Sequence, residues 1–319
     1  MSVIIVTYNN LRFTQQCVAS VNAYTKQPYE IVVVDNCSTD GTRQWLEGAA
    51  DRREIHQTVF NDQNLGFPAG VNQAINTARG EYVLLLNNDV RLRPDCILPL
   101  AEHFADPGVF AVTGKLLNQA EDVFCNGGKV ARFRRGMWST YQNYDLLPGA
   151  DPAQPLLSFT AIGAFSAYDR ARFLDLGGFD PLTAMVEDIE LSYRAWKRGW
   201  MIKYEPRSIA CHDASQTMDR RYKRCALNKI SRRSRILMHW MLLHDPHMFR
   251  LHQLSIALRL LASWLVLDWR FYWAVGTGFA HLPTILRKRR ATRRTMARTD
   301  RELLELLQRF YSTAPIALY

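Results

Sequence analysis

Leu84-Leu85-Leu86-Asn87-Asn88-Asp89-Val90 is an apolar run that ends by delivering two carboxamides and a carboxylate together. Read as a strand, it presents these groups at its carboxyl end, which is where open α/β sheets bind ligands. Hard divalent cations take oxygen ligands, and a site of one or two carboxylates completed by substrate phosphates suits Mg²⁺ or Mn²⁺. Asp89 is therefore a candidate metal ligand. The plainer alternative is a strand that runs into an Asn-Asn-Asp turn.

Working outward, short apolar strands alternate with helix-length amphipathic segments, the pattern of βαβ units on a mostly parallel sheet. Strands are expected at 2–7, 30–34, 54–60, 82–86 and 109–113, and helices at 11–24, 42–49, 68–78 and 95–105. Gly80 reads as the C-cap of the third helix and Pro94 as the opening of the fourth. Residues 118–156, punctuated by Gly and Pro, read as a loop-rich excursion beside a site. Beyond it a strand is expected at 157–168, helices at 170–176 and 187–198, and a strand at 201–205.

The 319 residues suffice for one large domain with an appendage, or for two domains. At 48% hydrophobic and 22% charged, the composition excludes wholesale disorder and a polytopic membrane protein. No signal segment precedes Ser2-Val3-Ile4-Ile5-Val6-Thr7, so a cytoplasmic location is expected. The six cysteines are scattered without a Cys-x-x-Cys pair, which fits reduced thiols and gives no catalytic candidate.

Charge is divided unevenly: residues 1–212 carry 20 Lys+Arg and 23 Asp+Glu, residues 213–319 carry 20 and 7. The basic third also holds Trp240, Trp264, Trp269 and Trp273. Its stretch 254–282 is apolar but interrupted by Arg259, Asp268 and Arg270, too broken to span a bilayer. Arg287-Lys288-Arg289-Arg290 and Arg293-Arg294 follow. An apolar, Trp-bearing helix beside a polybasic run suits peripheral docking on an anionic membrane surface, here the cytoplasmic face. The alternative is a helix packed on the preceding domain with a solvated basic tail. A non-catalytic binder of polyanions would also use such a tail, but it leaves Asp35, Asp89 and Asp188 unexplained, so nucleic acid is not the expected partner.

The first strand ends in Thr7-Tyr8-Asn9-Asn10 and the second in Asp35-Asn36-Cys37-Ser38-Thr39-Asp40-Gly41-Thr42, so two polar clusters share one sheet edge. No phosphate-binding glycine motif occurs. Asp40 fits turn and cap chemistry; Asp35 is placed to accept from a ribose hydroxyl or a base N–H. Asn61-Asp62-Gln63-Asn64-Leu65-Gly66-Phe67-Pro68-Ala69-Gly70-Val71-Asn72 follows the third strand and opens a helix, with close-approach glycines and amides free to bond a ligand. Glu187 and Asp188 open the 187–198 helix, where the dipole favours ionised carboxylates. In order, S-V-I-I-V-T-Y-N, V-V-V-D-N-C-S-T-D-G-T, N-L-G-F-P-A-G-V-N, L-L-L-N-N-D-V, T-A-I-G-A-F, G-G-F-D, E-D-I-E-L-S-Y-R and a late H-D-A-S resemble glycosyltransferase family 2, in its rhamnosyltransferase-like branch, over residues 2–215.

The resemblance implies a GT-A fold at 1–215 and inverting transfer from a nucleotide sugar; composition makes 216–319 a helical, basic region. It implies that Thr7, Asn9, Asp35, Asn64 and Asn88 hold the nucleotide sugar. Asp89 and His212 would hold Mn²⁺ or Mg²⁺, with Asn87 replacing the first acid of the family's D-x-D motif. Asp188 would be the general base. Glu187, Trp196 and Trp200 are acceptor candidates, the tryptophans being equally readable as core. The Q-x-x-R-W motif of processive synthases is absent from the sequence, so a single addition is expected, from dTDP-rhamnose or a UDP-sugar to a glycan acceptor linked to a lipid diphosphate. A protein acceptor is the nearer alternative. Oligomeric state is not readable from the sequence.

Overall fold

The computed structural model describes residues 1–151, 154, 156–212 and 224–319. β1 (Ser2–Thr7) and β2 (Glu30–Asp35) are apolar almost throughout because both of their faces are covered. Val3, Ile5, Ile31 and Val33 pack in one core with α1 (Leu11–Tyr24) and α2 (Thr42–Asp51). Ile4, Val6, Val32 and Val34 alternate into a second core with α3 (Phe67–Thr77). β3 (Gln57–Phe60) lies parallel beside β2, and β4 (Tyr82–Asn87) lies parallel on the other side of β1. The register aligns the ends: Thr7 faces Asp35, and Val6 faces Asn87. Three polar strand ends thus meet at one edge.

Beyond β4 the sheet continues through β11 (Phe165–Asp169), antiparallel to its neighbours β4 and β6 (Val109–Leu117), and then to β12 (Met201–His212), parallel to β6. β5 (Val90–Leu92) pairs antiparallel with the end of β12, placing Val90 opposite His212. The short strands β7 (Phe124–Asn126) and β10 (Leu156–Leu157) complete the ten-stranded sheet. α4 (Ile97–Glu102), α5 (Arg170–Asp175) and α6 (Glu187–Lys197) cover its faces.

Several expectations are refined. The fourth helix is shorter than 95–105, its last turn being a 3-10 turn at His103–Ala105. The third strand starts at Gln57, three residues late. Residues 157–168 are not one strand: β10 stops at Leu157 and β11 starts at Phe165, with a connecting loop between them. Gly80 does not cap α3, which ends on an extended Ala78. Its role is close approach, since a Cβ there would lie 2.7 Å from the Ser2 backbone nitrogen. The excursion at 118–156 is largely a β-hairpin, β8 (Gly128–Arg134) with β9 (Met137–Leu146), to which β13 (Ile316–Leu318) adds a third antiparallel strand.

The basic third folds as α7 (Arg224–Leu242), α8 (Pro246–Leu265), α9 (Trp269–Ala280), α10 (Leu282–Thr295) and α11 (Asp300–Thr313). Leu237, Met241, Ile285, Leu303 and Leu307 join the second core, so this region packs on the sheet domain. Asp300, buried, pairs with the buried Lys197 of α6, takes the Tyr193 hydroxyl, and accepts from the backbone N–H groups of His244 (2.6 Å) and Asp245 (2.7 Å). The expected division at 215/216 lies outside the described residues, as do Asp213, Ala214 and Ser215. No helix among the described residues is long and apolar enough to cross a membrane.

Candidate active site

The aligned ends of β1, β2 and β4 form the floor of the site. Asn9 and Asn10 leave β1 with φ of 58° and 64°, a left-handed conformation that asparagine tolerates better than most side chains. This turn folds Asn9 back: its Oδ1 accepts from Thr39 N–H (2.8 Å) and its own N–H donates to Ser38 Oγ (2.7 Å). Asp35 is fully buried and its carboxylate accepts from Ser38 N–H at 3.2 Å. Asn88 Nδ2 donates to the hydroxyls of Thr7 (3.1 Å) and Thr14 (3.2 Å). Asn64 Oδ1 accepts from Gly66 N–H (2.8 Å), shaping the entry to α3.

The structure thus brings Thr7, Asn9, Asp35 and Asn88 to one edge, but Thr7, Asp35 and Asn88 spend hydrogen bonds on fixing the loops around it. Asn36 and Asn61 belong to the same network, with Asn61 Nδ2 donating to Asn36 Oδ1 (2.8 Å). Both lie in the polar stretches that follow β2 and β3, where nothing in the sequence separates them from the neighbouring amides.

Asp89 leaves β4 and meets His212 at the end of β12, Nε2 to Oδ1 3.1 Å. The β5–β12 pairing explains the meeting of residues so far apart in sequence. Among the described residues no group of three or more His, Cys, Asp or Glu side chains could hold a metal ion. A carboxylate and an imidazole supply two ligands, which fits a cation whose remaining ligands are diphosphate oxygens and water.

Glu187 and Asp188 begin α6, and the loop at 158–164 ties that helix to the floor. Asn87 N–H donates to Ala164 O (3.1 Å), and Ala161 N–H donates to Ser192 Oγ (3.1 Å). Burial raises the Asp188 carboxyl above the usual range; the Ile189 N–H and the cations Lys129 and Arg235 pull it back. The same burial, with the Asp188 charge added, pushes Glu187 up to about 7. Glu187 Oε2 is buried without a hydrogen-bond partner. Lys129 comes from β8 and Arg235 from α7; in sequence neither carries a signal that separates it from other basic residues.

Trp196 is fully buried, its indole N–H donating to Phe159 O (3.0 Å) and the Arg298 guanidinium over its ring. Trp200 stacks on Phe110 and lies between Arg172 and Arg198. Both make packing contacts here. The G-G-F-D motif also has a packing cause: Phe179 N–H donates to Asn72 Oδ1 (2.9 Å), and a Cβ on Gly178, at φ 70°, would lie 2.3 Å from that oxygen. Cys17, Cys37, Cys96, Cys125 and Cys211 are free, and burial pushes the Cys96 thiol up to about 12.

A sheet whose polar strand ends gather at one edge, beside a helix that opens on paired carboxylates, defines the GT-A class of fold. A family model for glycosyl transferase family 2 matches residues 2–175, more than half of the chain. The chain belongs to glycosyl transferase family 2. Poly-beta-1,6-N-acetyl-D-glucosamine synthase of Staphylococcus aureus is 27% identical over 207 residues, 62% of this chain and 46% of that protein. N-acetylglucosaminyl-diphospho-decaprenol L-rhamnosyltransferase of Mycobacterium tuberculosis is 26% identical over 246 residues, 69% of this chain and 78% of that protein. The chain therefore spans about half the length of the first relative and most of the second. Among solved structures, GalNAc-T7 with UDP, GalNAc and Mn²⁺ gives a TM-score of 0.61 at 17% identity over 76% of this chain and 48% of that one. Mannosyltransferase PcManGT from Pyrobaculum calidifontis, in complex with GDP-Man and Mn²⁺, gives 0.52 at 18% identity over 90% and 86%.

Proposed function

We infer that the protein transfers one sugar from a nucleoside-diphosphate sugar, dTDP-rhamnose or a UDP-sugar, to a glycan acceptor carried on a lipid diphosphate, inverting the anomeric centre. One observation carries this reading: Asp188 opens α6, and that helix is tied through the 158–164 loop to the strand edge that bears Asp35 and the Asp89–His212 pair. The relative named as acting on a diphospho-decaprenol acceptor, of which this chain covers 78%, supports the acceptor class.

Asp35 and the loops it fixes hold the nucleoside end of the donor. Asp89 and His212 would hold Mn²⁺ or Mg²⁺, which supplies positive charge against the diphosphate. Asp188 takes the proton of the acceptor hydroxyl as that oxygen attacks the anomeric carbon from the face opposite the diphosphate. Lys129 and Arg235 keep Asp188 ionised against its burial, and a single displacement needs no covalent intermediate.

Thermal unfolding against UDP, dTDP and GDP, each with and without Mn²⁺, tests this reading, since a ligand of the native state alone must raise the midpoint. A metal-dependent rise with UDP or dTDP is expected and is lost in Asp89→Ala. No rise with any nucleotide would end the transferase reading.

A further inference from the structure

α8 is apolar on two faces. Met248, His252 and Ile256 are buried against the protein, whereas Leu251, Leu254, Leu258, Leu261 and Leu265, spaced three and four apart, form a stripe exposed to solvent. The stripe runs out at the α8–α9 turn, where Leu265 is 81% and Val266 74% exposed, flanked by exposed Trp264 and Trp269. Leu267 stands in that turn at φ 51°, a position usually given to glycine, with its side chain exposed. Strain accepted at an exposed apolar side chain points to a use for that side chain. A contiguous apolar surface of this kind marks an interaction site.

Charge selects the occupant. Residues 246–295 carry nine Lys+Arg and one acid, Asp268. Asp268 is itself engaged by Arg232 (2.8 Å) and approached by Arg259 (4.0 Å). Arg259 and Arg270, near the turn, are exposed. Two copies of so uniformly positive a surface repel each other, whereas an anionic bilayer offers apolar depth beneath negative headgroups.

We propose that the α8–α9 hairpin is a membrane finger: Leu265, Val266 and Leu267 enter the acyl region of an anionic bilayer, Trp264 and Trp269 lie at its interface, and the surrounding arginines meet lipid phosphates. The finger is coupled to the site through α7. Arg232 binds the hairpin turn, and the next two residues, Arg233 and Ser234, donate to the carbonyls of Leu182 (3.1 Å) and Ala184 (2.8 Å) in the segment that leads into Glu187 and Asp188. The finger would thus hold the bilayer on the side of α7 that meets the segment leading into Asp188. This last point rests on the acceptor reading above and identifies how a lipid-borne acceptor is brought to the base.

The test is flotation of the full-length protein with vesicles of phosphatidylcholine containing about one-third phosphatidylglycerol, against phosphatidylcholine alone. The wild type is expected to float with the anionic vesicles. Leu265→Ser/Val266→Ser/Leu267→Ser, all at exposed positions, is expected to lower that partition at least tenfold, while Leu98→Ser, an exposed apolar residue away from the hairpin, leaves it unchanged. Both variants should keep the nucleotide-induced thermal shift, which separates this inference from the transferase reading. Wild type that fails to float, or a triple variant that floats equally well, overturns the finger. So does a concentration-dependent wild-type dimer that the triple variant abolishes without any vesicle binding. Flotation without a nucleotide response sustains the finger and ends its link to an acceptor.

Discussion

Glu187 and Asp188 are adjacent in sequence, yet their surroundings set them apart. Burial raises both carboxyls, but the charges of Lys129 and Arg235 favour the ionised form of Asp188, whereas Glu187 has one buried, unpartnered oxygen beside its neighbour's charge. Because burial raises Glu187 above the ordinary carboxylate range, to about 7, the folded state holds a proton that the unfolded chain releases. That stabilisation is complete in acid and is lost as pH rises through 7, by about 1.4 kcal/mol per unit at most. Glu187→Gln is therefore expected to flatten the fall in urea midpoint between pH 5 and pH 8 and to be more stable than wild type at pH 8; an unchanged slope would refute the assignment. The sequence places the two carboxylates at the start of a helix. It does not show the difference between them, because Lys129 and Arg235 reach the pair from elements far away along the chain.

At the scale of elements, legibility follows the source of the signal. β1, β2, α1 and α3 are plain because apolar periodicity and local turn residues determine them. The β8–β9 hairpin is not, since its strands are rich in polar residues and its third strand, β13, comes from the far end of the sequence. α11 then holds this hairpin by one hydroxyl: Tyr311 donates to Lys129 O (3.3 Å) and accepts from Ala131 N–H (3.0 Å). Lys129, whose ammonium donates to Asn143 Oδ1 and whose charge favours an ionised Asp188, is thus positioned partly from α11. Tyr311→Phe is expected to cost about 0.5–1.5 kcal/mol of stability and to lower kcat severalfold. Donor KM and the nucleotide-induced thermal shift should stay unchanged, and a loss confined to donor KM would contradict this positioning role.

For the whole molecule, composition overstates how much of the basic third is free. Lys288 pairs with Asp180, and Arg289 lies over Phe249 and donates to Trp240 O (2.9 Å). Arg298 donates to the carbonyls of Trp196 (3.1 Å), Gly199 (3.0 Å) and Trp200 (3.2 Å). A polybasic run is visible in sequence; which of its members face inward is a tertiary property. The Lys197–Asp300 pair shows how firmly the halves are joined, with both side chains buried. Asp300→Ala leaves Lys197 charged and unpaired in the core and is expected to cost about 3–5 kcal/mol, read as a lower urea midpoint. A midpoint within error of wild type would mean that the C-terminal helices dock independently of this pair.

The clamp of α11 and β13 on the β8–β9 hairpin also sets an order of events during vectorial synthesis. Domains form as the chain emerges, amino end first, so the strand edge carrying Asp35 and Asp89 can assemble while residues 300–318 are still within the ribosome. The hairpin that carries Lys129 has to wait for Tyr311 and for Ile316–Leu318. On the proposed function, a nascent chain would have the strand edge assigned to the donor in place before α11 and β13 have docked on the hairpin that carries Lys129.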